Sequence, residues 1–238
     1  MIGIIVAMPL EAVGLKSAMT NKESNIISSI EFVKGKLHGI DCVLVICGPG
    51  KVNAAICTQT MILEYSPKFI INTGVAGAIG KDIHIGDIVI AKDVVQHDVD
   101  TTGLGDPKGF ISGIKVIKIN CCEKINQTIY KILKDQHFGS NIHVGTIATG
   151  DQFIESREKK EMIYNDFNAL VCDMECGSIG QVCYMNNVDF VSIKAMSDNA
   201  NESAELNFNE FAAEVAKSYV DLINAFFLKM KSEENNLH

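Results

Sequence analysis

The 238-residue chain is 47% hydrophobic and only 7% aromatic, which suits one large α/β domain with an aliphatic core and makes a single domain over 1–238 the expectation. A net charge of −8, without any basic stripe interleaved with aromatics, repels a phosphate backbone and argues against nucleic acid as a partner. No apolar run reaches the roughly 18 to 20 residues that a membrane span needs, so a cytoplasmic protein with no membrane partner is expected.

Met1 leads straight into Ile2-Gly3-Ile4-Ile5-Val6-Ala7 without a basic n-region, and the opening reads as a first strand. Short β-branched runs then alternate with helical periods, the pattern of a mainly parallel or mixed sheet covered by helices. Strands are expected near 2–7, 30–37, 42–47, 68–73, 86–97, 114–118, 142–148, 169–173 and 188–195. Helices are expected near 11–19, 51–65, 122–137, 156–166, 175–186 and 207–229. The last is the clearest, since Phe208, Phe211, Ala212, Val215, Tyr219, Leu222, Ile223 and Phe226 recur at helical spacing and belong chiefly to the core. Residues 99–113, rich in Gly, Asp and Thr, form a long loop of the kind that often carries function. The polar tail 229–238 is expected to fray.

The eight cysteines lie mostly inside apolar runs and show no C-x-x-C pair. Free Cys packs as a small buried hydrophobe, so reduced core thiols are expected and no metal is implied, even at Cys172, Cys176 and Cys183.

Two glycine turns follow apolar strands. Gly48-Pro49-Gly50-Lys51 opens a helix, where backbone N–H groups can hold a polar ligand group. Asn72-Thr73-Gly74-Val75-Ala76-Gly77-Ala78 lets a flat ligand approach the backbone. Tight turns and close helix packing explain both equally well. More informative is that three carboxylates, Glu11, Glu175 and Asp198, each follow a buried strand at its C-terminal end. Ligands bind outside those ends in open α/β sheets, and although each acid alone suits a helix cap, three in one topological position favour a shared site. His97 beside Asp98 and Asp100 reads as a satisfied hydrogen bond and receives no catalytic role.

Together with Gly150-Asp151-Gln152-Phe153-Ile154, Asp173-Met174-Glu175, Ser197-Asp198-Asn199-Ala200 and Phe208-Asn209-Glu210-Phe211, these segments resemble, in order and over nearly the whole chain, the 5′-methylthioadenosine/S-adenosylhomocysteine nucleosidases of the nucleoside phosphorylase superfamily. The resemblance implies a three-layer α/β/α fold around a twisted mixed sheet, a homodimer whose partner helps close the site, a nucleoside substrate and no cofactor. It further implies that Glu11 activates water, that Asp198, with Ser197 beside it, protonates N7 of adenine, and that Glu175 holds the ribose hydroxyls over Met174. Phe153 would stack on the purine while its backbone and that of Ile154 read the adenine edge. Met8, Pro49, Leu104 and Phe208 match an apolar 5′-alkylthio pocket, and Val75, Gly77 and Lys194 fall close to the ribose and the water.

The chemistry suits these residue types without the family. A departing purine must be protonated as the N-glycosidic bond stretches, so a carboxylic acid has to keep its proton near neutral pH. The oxocarbenium-like sugar needs a nearby carboxylate and a polarised water. Two departures bear on the water: many relatives carry Arg at the position of Lys194 and Ser at that of Val75, and neither replacement repeats the original hydrogen bonding. The rival reactions on this fold are phosphorolysis and non-catalytic sensing. The single arginine, Arg157, lies in the charged run 155–161, so no arginine cradle for phosphate can be built, which leaves Lys51 and Lys194 as point charges. A sensor needs neither Glu11 nor Asp198.

Overall fold

The computed structural model describes residues 1–135, 141–201 and 203–235, without the side chains of 206, 209, 213–219 and 233–235. Its strands are β1 (Ile2–Val6), β2 (Thr20–Ile27), β3 (Ile30–Leu37), β4 (Ile40–Ile46), β5 (Phe69–Ala78), β6 (Ile88–Gln96), β7 (Lys118–Asn120), β8 (Ile142–Thr149), β9 (Ala169–Asp173) and β10 (Asp189–Asp198). The helices are α1 (Pro9–Ala18), α2 (Lys51–Tyr65), α3 (Glu123–Asp135), α4 (Arg157–Phe167), α5 (Cys176–Asn186) and α6 (Ala204–Asn235), with a 3-10 turn at Thr102–Leu104.

Every residue of β1 is buried, as a strand must be when helices cover both faces of its sheet. Side chains alternate across the strand: Ile2, Ile4 and Val6 point into one core with Leu15, Ile129 and Phe227, from α1, α3 and α6. Ile5 points into the other with Cys57, Met61 and Ile179, from α2 and α5. The result is the expected three-layer arrangement around a mixed sheet. A smaller cluster under α4 joins Ile163 and Phe167 to Ala148 and Cys172.

The sheet also closes on itself. β5 pairs with β10, β10 with β6, β6 with β8, β8 with β9, and β9 returns to β5. β1, β4, β3 and β2 fan outward from β5. Closure turns the carboxyl ends of β5, β9 and β10 toward one another: Gly77 pairs with Cys172 on one side and with Asp198 on the other. A register shift between Met196 and Asp198 marks a β-bulge, a device that re-aims the following side chain.

Several boundaries differ from the sequence reading. β2 was not expected, because TNKESNII is polar and its strand is exposed along almost its whole length; only its pairing with β3 defines it. The strand expected at 114–118 forms at Lys118–Asn120, with an isolated bridge from Ile111 to Val116 before it. α1 starts at Pro9, a residue suited to the first helical turn. The tail expected to fray from 229 continues α6 to Asn235, and 236–238 lie outside the described residues, as do 136–137 of the helix expected at 122–137. On α6, Ala212, Leu222, Ile223 and Phe226 are buried as expected, while the side chains of Val215 and Tyr219 lie outside those described. Among the described residues, no helix is long and apolar enough to cross a membrane.

Phe227 is fully buried and Leu228 half-exposed on α6. Urea unfolding is expected to show that Phe227→Ala costs about 3–5 kcal/mol, by lost transfer energy plus a cavity. Leu228→Ala should stay within about 0.5 kcal/mol, as a surface substitution.

Candidate active site

Glu11 stands at the third position of α1 and reaches back to the N–H of Met8, as a helix-capping carboxylate does. Capping accounts for only part of its bonding. Oε2 accepts from the N–H groups of Ala7 and Met8 at 2.8 Å each, while Oε1 accepts from Val75 N–H at 3.0 Å, on β5. The carboxylate thus ties α1 to β5. It lies against Gly74, where any Cβ would collide with it, and the Gly74 φ of +151° suits glycine alone.

Asp198 follows the bulge in β10. Its Oδ1 accepts from Ala200 N–H at 2.8 Å, and Oδ2 is 3.0 Å from the Ser197 hydroxyl. Glu175 sits at the N-cap of α5 but makes no capping bond. Its Oε1 instead accepts from Gly50 N–H at 3.0 Å, at the mouth of α2. Behind these acids, Lys194 Nζ lies 2.9 Å from Asp173 Oδ2 and 4.0 Å from Glu175 Oε2. Asp173 also accepts from Thr149 Oγ1 at 2.6 Å and from Cys176 N–H at 3.0 Å.

One cavity of about 360 Å³ brings together Met8, Glu11, Pro49, Val75, Gly77, Phe153, Ile154, Met174, Glu175, Ser197, Asp198 and Phe208. Its walls are mainly apolar with a few convergent polar groups, the character of a small-molecule site. Phe153 and Phe208 meet edge to face, with centroids 6.1 Å apart and an interplanar angle of 83°. Two expected site residues are not at the cavity wall. Leu104 is 85% exposed at the end of the 3-10 turn, because the 99–113 loop carries it away from the cavity of its own chain. Lys194 is 1% exposed and is not cavity wall; its ammonium is taken up by Asp173 and approaches Glu175, both of which are. The sequence reading also missed wall residues, among them Ala7, Ala76, Gln152, Cys172 and Asp173. Asp173 carried a usable signal, a second acid beside Met174-Glu175 at a strand end; small Ala7 and Ala76 carried none.

Burial decides the electrostatics. It pushes the Glu11 carboxyl upward, against the Lys194 charge and the three backbone donors that favour the ionised form. It raises Glu175 to about 7, with the charge of Asp173 adding and Lys194 opposing. Burial raises Asp198 as well, against the Ala200 N–H and the Ser197 hydroxyl. For Lys194 burial works against the charge, but Asp173 and Glu175 outweigh it and hold the ammonium well above its ordinary range. Burial thus favours the protonated form of all three carboxyls, and for Glu175 the balance falls at about 7. Neither lysine considered for phosphate presents a free ammonium to the cavity: Lys194 is paired with Asp173, and Lys51 Nζ lies 2.6 Å from Asp98 Oδ1. Arg157 is on the surface, 3.2 Å from Glu161. Among the described residues, no cluster of His, Cys, Asp or Glu is arranged to hold a metal ion.

A family profile described as the phosphorylase superfamily matches residues 1–228. A 5′-methylthioadenosine/S-adenosylhomocysteine nucleosidase from Staphylococcus haemolyticus is 36% identical over 226 residues, covering 94% of this chain and 98% of that protein. The chain belongs to the nucleosidase family of this superfamily. It is an N-glycosyl hydrolase, and its homologues support hydrolysis of adenosine N-glycosidic bonds. The solved nucleosidase from Neisseria meningitidis, in complex with methylthio-immucillin-A, superposes with a TM-score of 0.92 at 30% identity, covering 96% of this chain and 98% of that one. The Helicobacter pylori nucleosidase with butyl-thio-DADMe-Immucillin-A gives 0.90 at 33% identity, over 94% and 96% of the two chains. A structure named futalosine hydrolase from Helicobacter pylori also gives 0.90, at 32% identity over 94% and 96%. The nucleosidase family thus matches along nearly its full length.

A carboxyl raised by folding stabilises the folded state below its unfolded pKa, and that contribution is lost as pH rises through the folded value. Glu175 moves from 4.5 to about 7. Urea unfolding of the ligand-free protein is therefore expected to show stability declining across that interval, with a shallower decline in Glu175→Gln.

Proposed function

We propose that the chain hydrolyses the N-glycosidic bond of 5′-methylthioadenosine, S-adenosylhomocysteine and related 5′-substituted adenosines, releasing adenine and the 5′-thio-ribose. The observation that carries this reading is that Glu11, Glu175 and Asp198, from three separate segments, line one mainly apolar cavity of about 360 Å³.

Asp198, whose carboxyl burial pushes upward, donates its proton to purine N7 as the N9–C1′ bonding pair moves onto the base. Ser197 and the Ala200 N–H hold the carboxyl in place and stabilise the carboxylate left behind. Glu11 accepts a proton from water as the water oxygen bonds to C1′, and its three backbone donors fix the direction of its free lone pairs. Glu175, steadied by Gly50 N–H, takes the ribose hydroxyls and offsets the positive charge that develops on the sugar. Phe153 forms the stacking surface for adenine and its backbone, with that of Ile154, reads the base edge, while Met174 packs under the sugar. Met8, Pro49 and Phe208 supply apolar wall for the 5′ substituent. Val75 contributes its backbone N–H to Glu11, which needs no side-chain donor. Gly77 leaves room for the acid, since a Cβ there would stand 2.9 Å from Asp198 Oδ1. Lys194 pairs with Asp173 and faces Glu175 rather than touching water.

A homodimer belongs to the same reading: Leu104, exposed and away from its own cavity, is available to close the 5′ end of a second copy's cavity.

The test is incubation with 5′-methylthioadenosine, with and without phosphate, followed by chromatography. Adenine and free methylthioribose are expected without phosphate; a sugar 1-phosphate formed only with phosphate would replace hydrolysis by phosphorolysis, and no turnover would leave a sensor. Asp198→Asn and Glu11→Gln are each expected to lower kcat by at least about 10²-fold, the range of general acid–base catalysis, with unchanged circular dichroism. Near-normal turnover in either variant would remove that residue from the mechanism.

A further inference from the structure

Lys51 is the first residue of α2, at the positive end of the helix dipole, where a cation is disfavoured and an acid is the usual choice. The first turn of α2 contains no acid. Some other demand places lysine there, and its bonding shows which. Lys51 Nζ donates to Asp98 Oδ1 at 2.6 Å and to Gln96 Oε1 at 3.2 Å, at the end of β6. The other Asp98 oxygen accepts from Asp151 N–H at 2.9 Å, just past β8. Asp151 Oδ1 in turn accepts from Lys51 N–H at 2.7 Å. The ring is closed: three segments far apart in sequence hold one another by side chain and by backbone. The Lys51 and Asp98 side chains are only 18% and 16% exposed, so water screens the pair weakly. Burial alone would raise the Asp98 carboxyl, yet Lys51 and the Asp151 N–H outweigh it and hold it below its ordinary range.

None of the three residues lines the cavity, but each adjoins a part that does. Gly50, next to Lys51, donates its N–H to Glu175, and Pro49 is cavity wall. Gln152, Phe153 and Ile154 follow Asp151 and are cavity wall. Gly150, on the other side of Asp151, lies against the His97 ring, where any Cβ would collide. The linkage is thus flanked by Glu175 on one side and His97 on the other.

We propose that Lys51, Asp98 and Asp151 form a positioning clasp that sets Phe153 against the base and Gly50 N–H against Glu175, and so governs nucleoside affinity without touching the nucleoside. The proposal rests on the functional reading above, with the nucleoside in this cavity.

Steady-state kinetics with 5′-methylthioadenosine test it in wild type, Lys51→Met, Asp98→Asn, the Lys51→Met/Asp98→Asn double variant, Asp151→Ala and Lys51→Arg. Misplacement of binding groups should raise KM by about tenfold in Lys51→Met and Asp98→Asn, with kcat changed less than about threefold. The double variant should be no worse than the weaker single, because both remove the same link. Lys51→Arg, which keeps the charge and a donor to Asp98, should recover most of the affinity. Asp151→Ala, at an exposed position, should raise KM in the same direction and does not depend on tolerance of a broken buried pair. A merely structural role would lower the active fraction and leave KM of the active enzyme unmoved. Unmoved KM in Asp151→Ala and the soluble single variants, or additive losses in the double variant, overturns the clasp. Absence of turnover by wild type overturns the functional reading instead, and is measured first.

Discussion

One lysine and four carboxyls, Lys194 with Glu11, Asp173, Glu175 and Asp198, are buried at the meeting point of three strand ends. A buried charge survives only when it is paired or generously hydrogen-bonded, and otherwise the group holds or sheds a proton to become neutral. Here Lys194 serves three of these acids at once. Asp173 takes it directly at 2.9 Å and adds two hydrogen bonds from Thr149 and Cys176, which leaves Glu175 at 4.0 Å with a weaker share. Asp198 stands apart with one N–H and one hydroxyl. Burial raises Glu11, Glu175 and Asp198, and the Lys194 charge opposes it at Glu11 and Glu175 without cancelling it.

Glu11 is the contrasting case. Burial raises it too, but three backbone N–H groups converge on its carboxylate from a helix turn and from a strand. Those donors cannot rotate away, so the ionised form is always solvated by the same fixed dipoles. Two carboxyls of one cavity thus differ in what holds them: three fixed backbone N–H groups for Glu11, one N–H and one hydroxyl for Asp198.

The sheet makes this possible by closing. An open sheet would leave β9 and β10 at separate edges; pairing of β9 and β10 with opposite sides of β5 puts Cys172, Gly77 and Asp198 in register. Glycine at 74 and 77 is then a packing requirement, because carboxylate oxygens occupy the space a side chain would fill. The helices attach loops to the same place: α1 brings Glu11, α5 brings Glu175, and the mouth of α2 brings Gly50.

Much of this was legible in the residues themselves. Alternating apolar runs announced β1, β4, β5 and β10, and strand-end acids announced Glu11, Glu175 and Asp198, because a buried strand leaves its mark in hydrophobicity and a site leaves its mark in polar residues at fixed offsets. β2 was silent, since an exposed edge strand is defined by its partner's hydrogen bonds and not by its own composition. The order of the sequence determined which chemical groups exist and on which elements they ride. Only the tertiary structure decided that Lys194 faces Asp173 from behind the cavity, that Leu104 stands outside it, and that Lys51 clasps Asp98 and Asp151. Such contacts depend on the closure of the sheet and the paths of loops between distant strands, and no local pattern encodes the distance between residues that far apart along the chain.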